Sequence, residues 1–242
     1  YVSYAEIFKP QSATDANKNV LEPVVGYNIE TGVKSEFLGG ALNTAVALFQ
    51  IIQENRAITD PNNSNYSIAE GKVRSRGIDA EISGSITERW SVMAGYTFNK
   101  SEYLKSERKT SSNVDYNKGA DAKKYVPRHM FKLYTSYEIP LVGTQKLSIG
   151  TGVRYQSKTS GIYMKDNMSS GSAIKYYVPE QKGYALWDAN INYLINDNFS
   201  VGLIVKNITD KKYFYNTHNR TAGMNNFYGE PRSFMLSFNY KY

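Results

Sequence analysis

Apolar and polar residues alternate along most of this chain, and that period of two predicts strands almost throughout. In "YALWDANINYLI" the residues Ala185, Trp187, Ala189, Ile191, Tyr193 and Ile195 share one face, and Asp188, Asn190 and Asn192 share the other. "LSIGTGVRYQS" sets Leu147, Ile149, Val153 and Tyr155 against Ser148, Gly150, Gly152, Arg154 and Gln156. "WSVMAGYTF" and "YNIETGVKSEF" behave alike, with Trp90, Val92, Ala94, Tyr96 and Phe98 on one face of the first and Tyr27, Ile29, Val33 and Phe37 on one face of the second. Similar passes through 41–58, 66–86, 129–139 and 198–208 bring the total to about ten strands, several near the ~9–11 residues of a tilted membrane strand.

The alternation runs to the last residue. Phe234, Leu236, Phe238, Tyr240 and Tyr242 fall on one face, with Ser233, Met235, Ser237, Asn239 and Lys241 between them. Short turns ("FLGGAL", "SITERW", "PLVGTQK", "INDNF") alternate with long polar stretches at about 10–24, 104–127, 161–182 and 213–227. That asymmetry is the mark of an outer-membrane barrel. A soluble β-sandwich would bury the same apolar face, but it has little use for aromatic residues at the ends of that face. Trp90 and Phe98 bracket one strand here, and Trp187 and Tyr193 another, as girdle residues do. A closed barrel also explains a chain that ends in a strand, since its last strand pairs with its first.

Composition narrows the reading. The 242 residues include 29 Lys and Arg against 22 Asp and Glu, for a net charge of +7, and no cysteine. A disulfide scaffold and a thiolate zinc site are therefore excluded. Mean hydropathy is −0.51, and no run nears the ~18 apolar residues of a spanning helix. A barrel escapes that test, because alternating strands average to a polar score. The 21 tyrosines suit strands, a lipid–water boundary or a stacking surface. The basic residues are scattered, without helix-turn-helix, zinc-finger or RNP-like patterns, so the expectation is a solvated or lipopolysaccharide-facing surface and no nucleic-acid partner. Residue 1 is Tyr, and "YVSYAEIF" already reads as a strand, so the expectation is a mature or truncated piece.

Six stretches carry a more specific resemblance. "SYAEIFKPQS" with "LEPVVGYNIETGVKSEF", "LNTAVALFQIIQENRA", "EGKVRSRGIDAEISGSITERWSVMAGYTF", "VPRHMFKLYTSYEIP", "KNITDKKYF" and "YGEPRSFMLSFNYKY" stand in the order seen in TonB-dependent ferric-siderophore receptors. The resemblance spans nearly all of residues 1–242 and implies an all-β, antiparallel transmembrane barrel. The chain would supply about ten C-terminal strands of the roughly 22 such receptors have. The plug domain, the energy-coupling box and the first dozen strands would lie outside it. The chain would then be a fragment, one piece of a split chain or an assembly intermediate.

The implied function is uptake of a ferric siderophore, hydroxamate-type such as coprogen or ferrichrome, by the parent receptor in the bacterial outer membrane. Its implied partners are the siderophore, TonB–ExbB–ExbD acting through the plug, the insertion machinery reading Phe234, Leu236, Phe238, Tyr240 and Tyr242, and surrounding lipid. No cofactor, catalytic residue or protein-held metal is expected, since a siderophore already encloses its iron. A small ten-stranded outer-membrane protease and an autotransporter translocator are the competing readings. The first needs carboxylates converging on a histidine. His129 and His218 have no obvious acidic neighbour in sequence, and no HExxH, GxSxG or phosphate loop is present.

Ligand contacts are expected from aromatic residues in the long stretches. "YFYNTHNR" offers Tyr213, Phe214, Tyr215, His218 and Arg220, and its place before the last strand resembles the loop from which hydroxamate-type receptors present an aromatic residue; Tyr215 matches best. Tyr103, Tyr116, Tyr125, Tyr163, Tyr176 and Tyr177 are further candidates. Each could instead pack its loop or join the outer girdle. Arg76, Asp79, Glu81, Arg154, Asp188 and Lys206 are expected to face the lumen or its rim, where the resemblance implies that they contact the plug or line its bed. In "GEPR", Gly229 and Pro231 would shape entry to the closing strand, with Glu230 and Arg232 pairing with neighbours. His129 is expected to be interfacial or structural.

Overall fold

A computed structural model describes residues 1–60, 63–106, 118–122, 125–160, 164–165, 176–177, 180–216 and 227–242. Ten strands form one hydrogen-bonded order: β1 (Val2–Lys9), β2 (Val24–Phe37), β3 (Leu42–Asp60), β4 (Asn63–Thr87), β5 (Trp90–Lys105), β6 (His129–Pro140), β7 (Lys146–Gln156), β12 (Tyr184–Asn196), β13 (Phe199–Lys206) and β16 (Ser233–Tyr240). The remaining strands are short and pair only in twos: β8 (Thr159–Ser160) with β11 (Glu180–Gln181), β9 (Met164–Lys165) with β10 (Tyr176–Tyr177), and β14 (Phe214–Asn216) with β15 (Phe227–Tyr228). The ladders β1/β2, β6/β7, β7/β12, β12/β13 and β13/β16 are antiparallel. Among the described residues the single helical element is a 3-10 turn at Leu38–Gly40. The fold is thus an all-β antiparallel sheet, as the alternation predicts. One detail differs: the stretches expected as loops at 161–182 and 213–227 contain these short two-stranded ladders.

The chain divides into two compact units, residues 1–33, 46–79 and 98–123 in one and residues 34–45, 80–97 and 124–242 in the other. The four short turns all belong to the second. Side chains fix two of them. Thr87 Oγ1 accepts from the backbone N–H of Arg89 and Trp90 at 3.3 and 3.1 Å. Asn196 Oδ1 accepts from Asn198 and Phe199 at 3.0 and 2.9 Å. These are the local bonds that make Thr and Asn good turn residues.

Register then sorts the second unit into two faces. Leu133, Val153 and Trp187 are cross-strand neighbours, as are Tyr137, Ile149, Ile191, Leu203 and Leu236, and Val201 with Phe238. Ser136, Gly150, Asn190, Ile204 and Met235 follow one another on the opposite face, as do Asn192, Gly202 and Ser237. Trp187, Ile191, Leu203, Leu236 and Phe238 are exposed. A sandwich would have covered them with a second sheet, so this apolar face requires lipid. Trp90 on the same face donates Nε1–H to Thr135 Oγ1 at 2.8 Å, and Tyr96 Oη lies 2.9 Å from His129 Nδ1. His129 is held at that face by Tyr96.

The closing strand keeps the apolar face expected of it: Phe234, Leu236, Phe238 and Tyr240 are all exposed, opposite Val205, Leu203, Val201 and Phe199. Pairing stops at Tyr240, and Lys241 N–H closes the end by donating to Asn198 O at 2.8 Å; Tyr242 extends beyond the strand.

Candidate functional site

Where β7, β12 and β13 reach the end away from the short turns, their polar face meets the β14/β15 ladder and encloses a cavity of about 580 Å³. Arg154, Asp188, Lys206, Tyr213, Tyr215 and Glu230 supply its polar and aromatic walls, and Leu186, 4% exposed, its apolar floor. Alternation accounts for the cluster: Leu186 and Asp188 are two apart on β12, Arg154 stands opposite Leu186 on β7, and Lys206 ends β13.

Asn207 organises the rim. Its φ of 49° is in the left-handed region, which Asn tolerates better than most residues. Its own N–H donates to Asp188 Oδ1 at 2.8 Å, and its Nδ2–H donates to the carbonyls of Lys211 and Glu230, both at 3.0 Å. Its Oδ1 accepts from Lys211 N–H at 2.8 Å. The side chain is 3% exposed, so all of its polar atoms are spent on holding the strand end to the approach of β16. Arg154 closes the other side of Asp188 with an ion pair at 3.0 Å. Asp210 Oδ1 accepts Arg232 N–H at 3.0 Å, and Arg232 in turn donates to Ile208 O at 3.3 Å.

The aromatic residues divide by role. Tyr213 packs at a tilt against Tyr184, with ring centres 4.5 Å apart, and its ring lies where a Cβ on Gly229 would strike it. This is the physical reason for the glycine in "GEPR". Burial, with Tyr213 alongside, pushes the Tyr184 hydroxyl up to about 12, so it stays a neutral donor. Phe214 stacks on Tyr228 at 4.7 Å, and its N–H donates to Gln181 Oε1 at 2.8 Å. Tyr215 faces the cavity and is 79% exposed. Tyr213 and Phe214 therefore pack the rim, while Tyr215 projects from it. Tyr103, half-buried, is tied to the segment 119–120 through its backbone. Tyr176 belongs to the β9/β10 ladder, opposite Lys165. Tyr116, Tyr163, His218 and Arg220 lie outside the described residues.

Below the rim, a second cavity of about 620 Å³ runs along the same polar face past Glu81, Lys132, Tyr134, Gly152 and Asn190 and shares Arg154 and Asp188 with the first. Glu81, Arg154, Asp188 and Lys206 thus occupy the polar face. Arg76 does not. It lines a groove with Ile78, Phe98 and Leu48 on the apolar side, one residue out of phase with Gly77. The sequence reading had grouped it with Asp79 and Glu81, but an even-numbered residue of this strand falls on the opposite face from those two.

One charged cluster escaped sequence reading altogether. Arg74 donates through Nε and Nη2 to the buried Glu102 carboxylate, Lys100 pairs with it at 3.0 Å, and Arg76 stands 3.9 Å away. Hydrogen bonds from Arg74 and then Lys100 hold the Glu102 carboxyl well below its ordinary 4.5, at about 2. The signal was there only in hindsight: partners 28 residues apart meet because β4 and β5 are neighbours, and their register is not written in either strand alone. Among the described residues no group of three His, Cys, Asp or Glu side chains could hold a metal. What the rim can do is bind a large solute by aromatic contact, hydrogen bonds and paired charges.

Known proteins resemble this chain in sequence and in fold. The family profile described as "TonB dependent receptor-like, beta-barrel" matches residues 1–208. The chain is 37% identical over 98% of its length to the ferric-pyoverdine M114 receptor PbuA of Pseudomonas sp. (strain M114), and 34% identical over 98% to the ferripyoverdine receptor of Pseudomonas aeruginosa. It is 30% identical over 88% of its length to the ferrioxamine B receptor of Salmonella typhimurium. The solved pyoverdine outer membrane receptor FpvA of Pseudomonas aeruginosa, bound to pyoverdine, superposes with a TM-score of 0.82 at 32% identity over 100% of the chain. The chain spans 27–28% of the length of these three relatives and 33% of that solved chain.

Proposed function

From a chain that belongs to the TonB-dependent receptor-like β-barrel family of the outer membrane, we propose that the whole protein imports a ferric siderophore. The observation that carries the reading is similarity over nearly the full chain, in sequence and in fold, to a receptor solved with pyoverdine bound. The relatives reported are receptors, which supports transport over the protease and translocator readings. In the whole protein the ten strands form part of the barrel wall. The rim cavity beside Tyr215 contributes to the ligand entrance, and the polar face below it beds a plug that couples to TonB–ExbB–ExbD. The closing strand, Phe234 to Tyr242, is the segment read by the insertion machinery.

On siderophore class, the relatives named for pyoverdine favour a ligand of that type; a hydroxamate such as ferrichrome or coprogen is the second reading, and the ferrioxamine B receptor among the relatives favours keeping it. Uptake of radioactive iron by a receptor-deficient host expressing the whole protein tests both. The expected result is TonB-dependent uptake from one ferric siderophore among ferripyoverdine, ferrioxamine B, ferrichrome and coprogen. Uptake from none of them, with the receptor present in the outer membrane, overturns the proposal.

A further inference from the structure

The rim cavity of about 580 Å³ is electrically balanced. Among the described residues its lining holds two cations, Arg154 and Lys206, and two carboxylates, Asp188 and Glu230. The chain as a whole carries a charge of +7, so its surplus of cations lies elsewhere. A wall meant for a strongly anionic ligand would have gathered that surplus here. Balanced charge instead suits a ligand whose own charges cancel where it meets this wall.

The two pairs differ in how they are held. Arg154 meets one oxygen of Asp188 at 3.0 Å, and the other oxygen accepts the N–H of Asn207 at 2.8 Å, so that pair belongs to the wall. Lys206 and Glu230 stand 3.8 Å apart, beyond hydrogen-bond reach, with 52% and 74% of their side chains exposed. Their backbones are nevertheless fixed. Lys206 ends β13 opposite Ser233, and the Glu230 carbonyl accepts from Asn207 Nδ2–H at 3.0 Å. Two opposite charges are thus presented side by side from anchored positions, and neither has another partner among the described residues. As a solvated pair they add little to stability. Covered by a ligand they lose their water, and each then needs a charge-assisted hydrogen bond of ~2.7–2.9 Å that the other does not supply.

We infer that Lys206 and Glu230 are specificity-determining residues for a siderophore that carries a carboxylate and a cationic group close together on its periphery. Lys206 takes the carboxylate and Glu230 the cation, while Tyr215, exposed on the same wall, offers its ring to the uncharged part of the ligand. A ligand with one such charge satisfies one head and leaves the other dry and unmatched, and a polyanionic periphery is opposed by Glu230. The inference rests on the siderophore reading and adds to it the charge pattern that the rim selects.

The test titrates the whole purified receptor with ferripyoverdine, ferrioxamine B, ferrichrome and coprogen in turn, read by fluorescence quenching. For the siderophore that binds, Lys206→Gln and Glu230→Gln are each expected to weaken affinity by about fivefold or more. Lys206→Glu with Glu230→Lys keeps an ion pair but turns it round, so its affinity should stay low, because the ligand's charges then face like charges. An ion pair that only shapes the rim would be restored by that exchange. Added salt should weaken binding to the unaltered receptor more than to Lys206→Gln with Glu230→Gln. Lys146→Gln, whose pair with Glu138 stands at the short-turn end of β7, should leave affinity unchanged. Recovery of affinity in the exchanged variant, or unchanged affinity in both single variants, overturns the role of the pair and leaves the siderophore reading standing. Binding of none of the four by the folded, unaltered receptor overturns that reading and the inference with it.

Discussion

The Tyr134 hydroxyl donates to Asn190 Oδ1 at 3.1 Å, reaching across β7 over Gly150. Tyr134 sits on β6 and Asn190 on β12, so one side chain ties together strands that are not themselves neighbours. The crossing is possible only because Gly150 has no side chain: a Cβ there would run into both Asn190 Oδ1 and Tyr134 Oη. Tyr134→Phe should therefore cost the whole receptor about 0.5–1.5 kcal/mol, the net worth of one hydrogen bond. Gly150→Ala should cost a similar amount, and in the Tyr134→Phe background less, because the clash with the hydroxyl is gone while that with Asn190 Oδ1 remains. Urea unfolding in lipid, arranged as a double-mutant cycle, measures the coupling, and strict additivity would deny the contact.

Register makes a second prediction. Leu236 lies on the exposed apolar face opposite Leu203, while Ser237 lies on the other, opposite Gly202. Leu236→Arg should destabilise the inserted barrel by roughly 2–4 kcal/mol, as for a cation near the bilayer midplane. Ser237→Arg should cost far less. Equal costs at the two positions would mean the faces are assigned wrongly.

Much of this was legible in the sequence, and the reason is the period of two. Alternation alone separates Trp187 and Ile191 from Asp188 and Asn190, and Gly, Asn and Thr mark the turns because their side chains or missing side chains solve the local backbone problem there. What alternation does not carry is register. The Arg74–Glu102–Lys100 cluster and the Tyr134–Asn190 tie each join residues on separate strands, so neither could be read from a strand by itself. Arg76 was expected beside Asp79 and Glu81 at the lumen or its rim, although Ile78, two residues on, belongs to the apolar side. Charge is a poor guide to face where a strand rises past the hydrocarbon into the headgroups. The rim was half legible: the resemblance carried by "YFYNTHNR" singled out Tyr215, but nothing in sequence showed that the ring of Tyr213 is taken up by Tyr184 and Gly229.

Glu102 makes a pH prediction. Its carboxyl is held from the usual 4.5 down to about 2 in the folded protein, so its contribution is fully present above 4.5 and is lost as pH falls from there through about 2. Stability of the receptor should decline across that window, and Glu102→Gln should flatten that part of the curve. Unfolding midpoints measured at several pH values between 2 and 5 check it; an unchanged slope in the variant would remove Glu102 from the account.

Asn207 predicts a coupling between rim structure and binding. Asn207→Ala removes three side-chain hydrogen bonds and puts Ala at a left-handed φ, so a loss of about 2–4 kcal/mol is expected. Because the Asn207 side chain anchors Glu230 and Lys211 at the cavity, siderophore affinity should fall as well. Calorimetric unfolding together with ligand titration tests both halves; full stability in the variant would contradict the structure of the rim.

The central claim is that this rim belongs to a siderophore receptor's ligand entrance, and Tyr215 is the side chain that decides it. Tyr215 projects into the cavity and is not packed as Phe214 and Tyr213 are. Titrating the whole receptor with its ferric siderophore by fluorescence quenching, Tyr215→Ala should weaken binding by about 1–3 kcal/mol, the scale of a truncated interface aromatic. Tyr240→Ala, on the lipid-facing side of β16, should leave affinity unchanged. Unaltered affinity in Tyr215→Ala, or an equal loss in the two variants, would contradict the account.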